Sequence, residues 1–71
     1  MEGFGRICFT DGEIQEGFFV NGSKNGFGRT IYPKGSYYIG QFCDDKKHGQ
    51  GIKVQDTGGV YEGTWENDKF I

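Results

Sequence analysis

The chain of 71 residues has one proline, one histidine and two cysteines, and no apolar run approaches the roughly 18 residues that a membrane-spanning helix needs. A small secreted domain stapled by disulfides would carry four or more patterned cysteines, so Cys8 and Cys43 are read as free thiols of a reducing compartment. Their columns also hold apolar residues, which makes both look like small apolar fillers. The first residues show no charged-then-apolar pattern of a signal peptide, and the chain is expected to be soluble and cytoplasmic. A net charge of −2 and a pI near 5.2 leave no basic field for phosphates. Nucleic acid is therefore not an expected partner, and acidic charge disfavours membrane lipid.

Catalytic groups are also scarce. His48 stands by itself in the charged turn Asp44–His48, where no second and third ligand converge to hold a metal. Asp44 and Asp45 are consecutive, so their side chains diverge and suit a turn better than acid–base work. The two Gly-Phe-Gly runs, Gly3–Gly5 and Gly26–Gly28, lack the following helix that a phosphate-cradling loop requires. The Asn21–Ser23 sequon is read as a hairpin turn. No enzyme activity, metal or cofactor is expected.

What the chain does have is glycine, 14 residues of it, together with 17% aromatics. That mixture favours turn-rich β-structure. The glycines fall into four columns spaced by 23 residues: Gly3, Gly26 and Gly49; Gly5, Gly28 and Gly51; Gly12, Gly35 and Gly58; Gly17, Gly40 and Gly63. Phe4/Phe27, Arg6/Arg29, Phe19/Phe42, Lys24/Lys47, Tyr38/Tyr61 and Asp45/Asp68 repeat in the same register. A fixed period of this size marks a repeat architecture.

Within one period, apolar residues alternate at period two between clusters of Gly, Asn and Asp, which predicts two strands and two turns. One strand type is expected at Ile14–Val20, Tyr37–Cys43 and Val60–Glu66, and a second at Gly3–Thr10, Gly26–Pro33 and Gly49–Asp56. The connections are expected at Asp11–Gly12, Lys34–Gly35 and Thr57–Gly59, and at Asn21–Asn25, Asp44–His48 and Asn67–Lys69. The first strand type puts Gln15, Gly17 and Phe19 on one face, then Tyr38, Gly40 and Phe42, then Tyr61, Gly63 and Trp65. Glycine there opens a gap above the backbone that a ring can fill, so Gly17, Phe19, Tyr38, Gly40, Phe42, Tyr61, Gly63 and Trp65 are the expected packing residues.

The stretch Tyr37–Gly58, "YYIGQFCDDKKHGQGIKVQDTG", resembles the MORN repeat, with Ile14–Gly35 before it and Val60–Phe70 after it in register. Gln15 stands where the family has tyrosine, Asp45 and Asp68 stand where Gly22 does, and Lys53 and Gln55 depart from Thr30 and Tyr32. The resemblance implies an all-β fold, an antiparallel meander of hairpins in one elongated, rolled sheet of about six strands. It implies a single domain over 1–71: a partial repeat at 3–12, repeats at 13–35 and 36–58, and a partial repeat at 59–71. It further implies a non-catalytic structural or adaptor subunit that binds other proteins in a larger assembly of the cytoskeleton or cilium. Two other roles follow from the same resemblance: a targeting or regulatory module of an enzyme, and a phospholipid-binding module.

Apolar residues also occupy the opposite face. Phe18, Tyr37 and Ile39 there, with Phe70 and Ile71 at the last edge, form the expected protein-binding face and edge, open to another repeat protein or to a second copy. A charge at Phe70 is expected to weaken assembly without unfolding the sheet.

Overall fold

The computed structural model describes residues 2–71 and contains one antiparallel sheet whose strands follow chain order. The strands are β1 (Gly3–Cys8), β2 (Ile14–Val20), β3 (Ser23–Ile31), β4 (Tyr37–Cys43), β5 (Lys46–Val54), β6 (Val60–Glu66) and β7 (Lys69–Phe70). The sheet stays open, and it measures 33 × 27 × 15 Å between Cα extremes. β2, β4 and β6 match the expected spans, and a seventh short strand joins the expected six.

Turn chemistry accounts for both kinds of hairpin. The tight turns are Asn21–Gly22, Asp44–Asp45 and Asn67–Asp68, each with positive φ at both residues, as in 52° and 83° for the first pair and 49° and 69° for the second. Two such residues make the turn whose twist matches that of the flanking strands. These turns take two residues each, so β3 and β5 begin at Ser23 and Lys46, inside segments expected to be loops. The wider connections close with Tyr32 N–H donating to Ser36 O at 2.8 Å and Gly35 N–H donating to Tyr32 O at 3.0 Å. Pro33 fits the second position of this turn, and Gly35, at φ 97°, supplies the left-handed residue that lets the next strand start.

Register explains the glycine columns. Gly5 faces Gly17, Gly17 faces Gly28, Gly28 faces Gly40, Gly40 faces Gly51 and Gly51 faces Gly63. The pairs join into a glycine track that crosses six strands at right angles to them. Beside it the ladder shifts: Gly17 faces Gly28 but Phe19 faces Lys24, and Gly40 faces Gly51 but Phe42 faces Lys47. Each shift forms a bulge in the second strand, where Gly26 and Gly49 adopt φ 84° and 101°.

The core lies over this track on one side of the sheet, called here the inner face. Phe19, Tyr38, Phe42 and Trp65 are its buried hydrophobic residues. Tyr38 meets Phe42 and Trp65 edge-to-face, with ring centroids 5.1 and 5.3 Å apart. Trp65 donates its indole N–H to Gly51 O at 3.2 Å, and Tyr38 donates its hydroxyl to Gln41 O at 3.0 Å. A single-layer sheet has no second layer to pack against, so its rings pack against its own glycine backbone.

Side chains cannot be added to the track without moving that backbone. A Cβ on Gly40 would sit 2.6 Å from Gln50 O and 2.7 Å from the Tyr38 hydroxyl. Gly40→Val is therefore expected to lower the melting temperature by at least about 4 °C, since overpacking costs on the order of 1–3 kcal/mol and 1 kcal/mol is worth roughly 4–8 °C in a domain this small. Thr57→Ala, in an exposed turn, is expected to leave it within about 2 °C, a surface change of under ~0.5 kcal/mol. Thermal melts followed by circular dichroism check this, and equal melting temperatures would contradict the packing scheme.

Candidate binding faces

The inner face is sealed by cations as well as rings. Lys24 is 1% exposed, its ammonium donates to Thr30 Oγ1 at 2.9 Å, and it lies 3.9 Å from the centroid of the Phe42 ring. Burial pushes its pKa down from 10.5 to about 8, against the opposing pull of Asp45 and Glu13. Burial also pushes the Tyr38 hydroxyl up from 10.0 to about 12. Lys47, one repeat on from Lys24, stands 5.6 Å from the rings of both Tyr32 and Tyr38 and 3.7 Å from Asp68. In the sequence these lysines show only as a repeated identity within apparent loops.

The turn of each repeat clips onto the repeat before it. Lys24 N–H donates to Asp45 Oδ1 at 2.7 Å while Asp45 N–H donates to Lys24 O at 3.0 Å. Lys47 and Asp68 repeat the exchange at 2.8 and 3.0 Å. The aspartates that replace Gly22 in the repeat pattern thus tie successive repeats together.

The expected packing residues gather on the inner face, but their burial differs. Phe19, Tyr38, Phe42 and Trp65 are buried, as are Gly17 and Gly40, and Gly63 is half-buried, whereas Tyr61 is 40% exposed and leans on Phe70, 5.6 Å away. Gln15, in the tyrosine column, is half-buried and donates to Glu13 Oε2 at 2.6 Å. Phe70 requires a correction. The sequence predicts an unpaired edge residue beside Phe18, Tyr37 and Ile39, but Phe70 pairs with Trp65, sits 5.2 Å from the Trp65 ring and would touch a Cβ on Gly63 at 3.3 Å. A charge there acts on the inner packing, so the expectation of an unchanged fold is withdrawn. Ile71 follows it, 69% exposed.

The outer face carries Phe18, Tyr37 and Ile39, arranged in rows across the strands. The first row is Cys8, Ile14, Ile31, Tyr37, Val54 and Val60, apolar at every position. The second is Arg6, Glu16, Arg29, Ile39, Ile52 and Glu62, in which Glu16 is held by Arg29 Nε at 2.8 Å and Arg6 Nε at 3.5 Å. Phe4 and Phe18 lie edge-to-face at 5.5 Å and begin a third row that continues through Phe27. Phe4, Phe18, Phe27 and Ile39 are 69%, 53%, 63% and 46% exposed, and with Arg29 they line one shallow trough. Cys8 and Cys43 are free thiols exposed on this side rather than buried fillers. Among the described residues no three His, Cys, Asp or Glu side chains converge on a point, and no helix is present.

A one-layer meander in which every second hairpin repeats the same ring-on-glycine unit defines an open β-repeat protein. The MORN repeat model matches residues 16–37, 38–60 and 61–70, most of the chain, which therefore belongs to the MORN-repeat family. Membership points to a protein- or membrane-binding repeat module. No curated protein matches the chain.

The two shifted groups give the fold a defined pH response. Between about pH 8 and 10.5 Lys24 holds fewer protons folded than unfolded, so stability rises with pH there. Between pH 10 and about 12 Tyr38 keeps a proton that the unfolded chain has lost, so stability falls. Chemical denaturation at a series of pH values is expected to show a maximum near pH 10. Lys24→Met is expected to flatten the rising limb and Tyr38→Phe to soften the falling one, and a profile unchanged by either substitution would contradict both assignments.

Proposed function

We propose that this chain is a non-catalytic structural or adaptor subunit that binds other proteins through its outer face. The observation that carries the reading is the apolar rows on the side of the sheet that the core does not use, with half-buried Ile31 and Tyr37 and exposed Ile39 at their centre. Scattered exposed rings are ordinary, but a row apolar at six successive strands is a contiguous patch, which marks an interaction surface. The inner face contributes little to such a role, because its rings and lysines are already in contact with one another. The acidic pI, near 5.2, supports a protein partner over an anionic lipid surface. Placement in a cytoskeletal or ciliary assembly extends the proposal and follows from the family resemblance.

The test is Ile39→Asp. Ile39 is 46% exposed and remote from the buried rings, so the variant is expected to keep the melting temperature within about 3 °C, a change of under ~0.5 kcal/mol. Cross-linked partners recovered by the wild-type chain from cell extract are expected to fall at least about tenfold, the equivalent of ~1.4 kcal/mol. Unchanged recovery would overturn the reading. Sedimentation with phosphatidylserine vesicles, undiminished in Ile39→Asp while protein capture is absent, would turn it toward membrane binding.

A further inference from the structure

We infer that the partner of the outer face is a second copy of this chain, packed face to face across a twofold axis parallel to the strands and lying between β3 and β4. The inference rests on the protein-binding reading above and names its partner.

Such an axis places each row against the same row of the other copy, in reversed order. In the first row, Cys8 then meets Val60, Ile14 meets Val54 and Ile31 meets Tyr37 of the second copy, and every encounter is apolar. In the second row, Arg6 meets Glu62, twice per dimer by symmetry. Arg6 lies 3.5 Å from Glu16 through Nε alone and its side chain is 58% exposed, so its guanidinium can reach a second carboxylate, and Glu62 has no ion-pair partner among the described residues. Glu16 and Arg29 would meet Ile52 and Ile39, and they arrive there with their charges already paired to each other. In the third row, Phe4, Phe18 and Phe27 would cover Thr64, Gln50 and Gln41. Part of that polarity is engaged within the chain: Gln41 Oε1 accepts from Gln50 N–H at 2.8 Å, and Gln50 Nε2 donates to Thr64 Oγ1 at 3.0 Å. These internal bonds lower the penalty of covering the row, and the amide atoms outside them keep their water at its rim.

Area and shape agree with this pairing. The sheet measures 33 × 27 Å, a footprint of about 900 Å², and stable interfaces bury on the order of 800 Å² on each partner. The parallel axis gives two aligned sheets, whose twist sets a mean angle of about 30°, the common packing of β-sandwiches. The reversed second row also selects this arrangement over the alternative with the axis along the rows, which would set Arg6 against Arg6.

Sedimentation velocity of the full chain tests the inference through charge reversal. The wild-type chain is expected to sediment as a dimer. Arg6→Glu and Glu62→Arg are each expected to weaken it at least about tenfold, because each creates two like-charge pairs. Mixing the two variants in equal amounts is expected to restore a dimer. In the mixed pair the introduced carboxylate of one chain meets the introduced guanidinium of the other, and the remaining Glu62 meets the remaining Arg6. Circular dichroism melts of each variant separate lost association from lost folding. A monomeric wild-type chain at micromolar concentration, or a dimer indifferent to both reversals, would overturn the inference. So would a mixture that stays monomeric. The Ile39→Asp capture experiment then decides the broader protein-binding reading independently, because it registers partners other than this chain.

Discussion

The packing of aromatic rings directly on glycine backbone is the interaction on which this fold depends. A one-layer sheet cannot bury side chains against a second sheet or a helix, and a chain of 71 residues has few residues to spare for one. Tyr38, Phe42 and Trp65 meet this constraint by crossing the track formed by Gly28, Gly40, Gly51 and Gly63. A Cβ at Gly28 would approach the Phe42 ring to 3.3 Å, and one at Gly51 would fall inside the Tyr38 hydroxyl. Glycine weakens each strand, and the close ring contacts offset that loss.

The other features of the inner face follow from that arrangement. The alkyl stems of Lys24 and Lys47 pack beside these rings with the ammonium groups over ring faces. The same lysines carry the backbone groups that bind Asp45 and Asp68 of the next repeat, so packing beside the rings and linking the repeats use one residue. The cost is a charge held close to burial in Lys24, expressed as its lowered pKa. With Tyr38, Phe42 and Trp65 turned inward, the sheet presents its opposite face uncovered, and the apolar rows there become the surface available to a partner.

The parts of this arrangement that are legible in the sequence are those governed by local periodicity. The pattern of aromatic, glycine and aromatic at every second position places β2, β4 and β6 and the face of Tyr38, Gly40 and Phe42. The columns of glycine reveal the repeat, but the track does not emerge from them, because facing residues are decided by hairpin length. A two-residue turn at Asp44–Asp45 extends β5 into Lys46–His48, and those polar residues read as loop without knowledge of the rings above Lys47. Lys24 is hidden for the same reason: its burial is produced by Phe42, which lies in the next repeat. Phe70 reads as an edge residue because the Asn67–Asp68 turn, which folds it back over Trp65, is expected from the sequence to run on to Lys69. The outer face is partly legible, with Phe18, Tyr37 and Ile39 on the expected side, whereas its charge order from Arg6 to Glu62 requires the register.

Nuclear magnetic resonance of the chain in solution tests the ring-on-glycine packing most directly. The account predicts that the α-protons of Gly51 and Gly28 are shifted upfield by the rings of Tyr38 and Phe42, with nuclear Overhauser contacts from each glycine to the ring above it. Glycine α-protons at their ordinary positions, without ring contacts, would contradict it even if the strand pairing were intact.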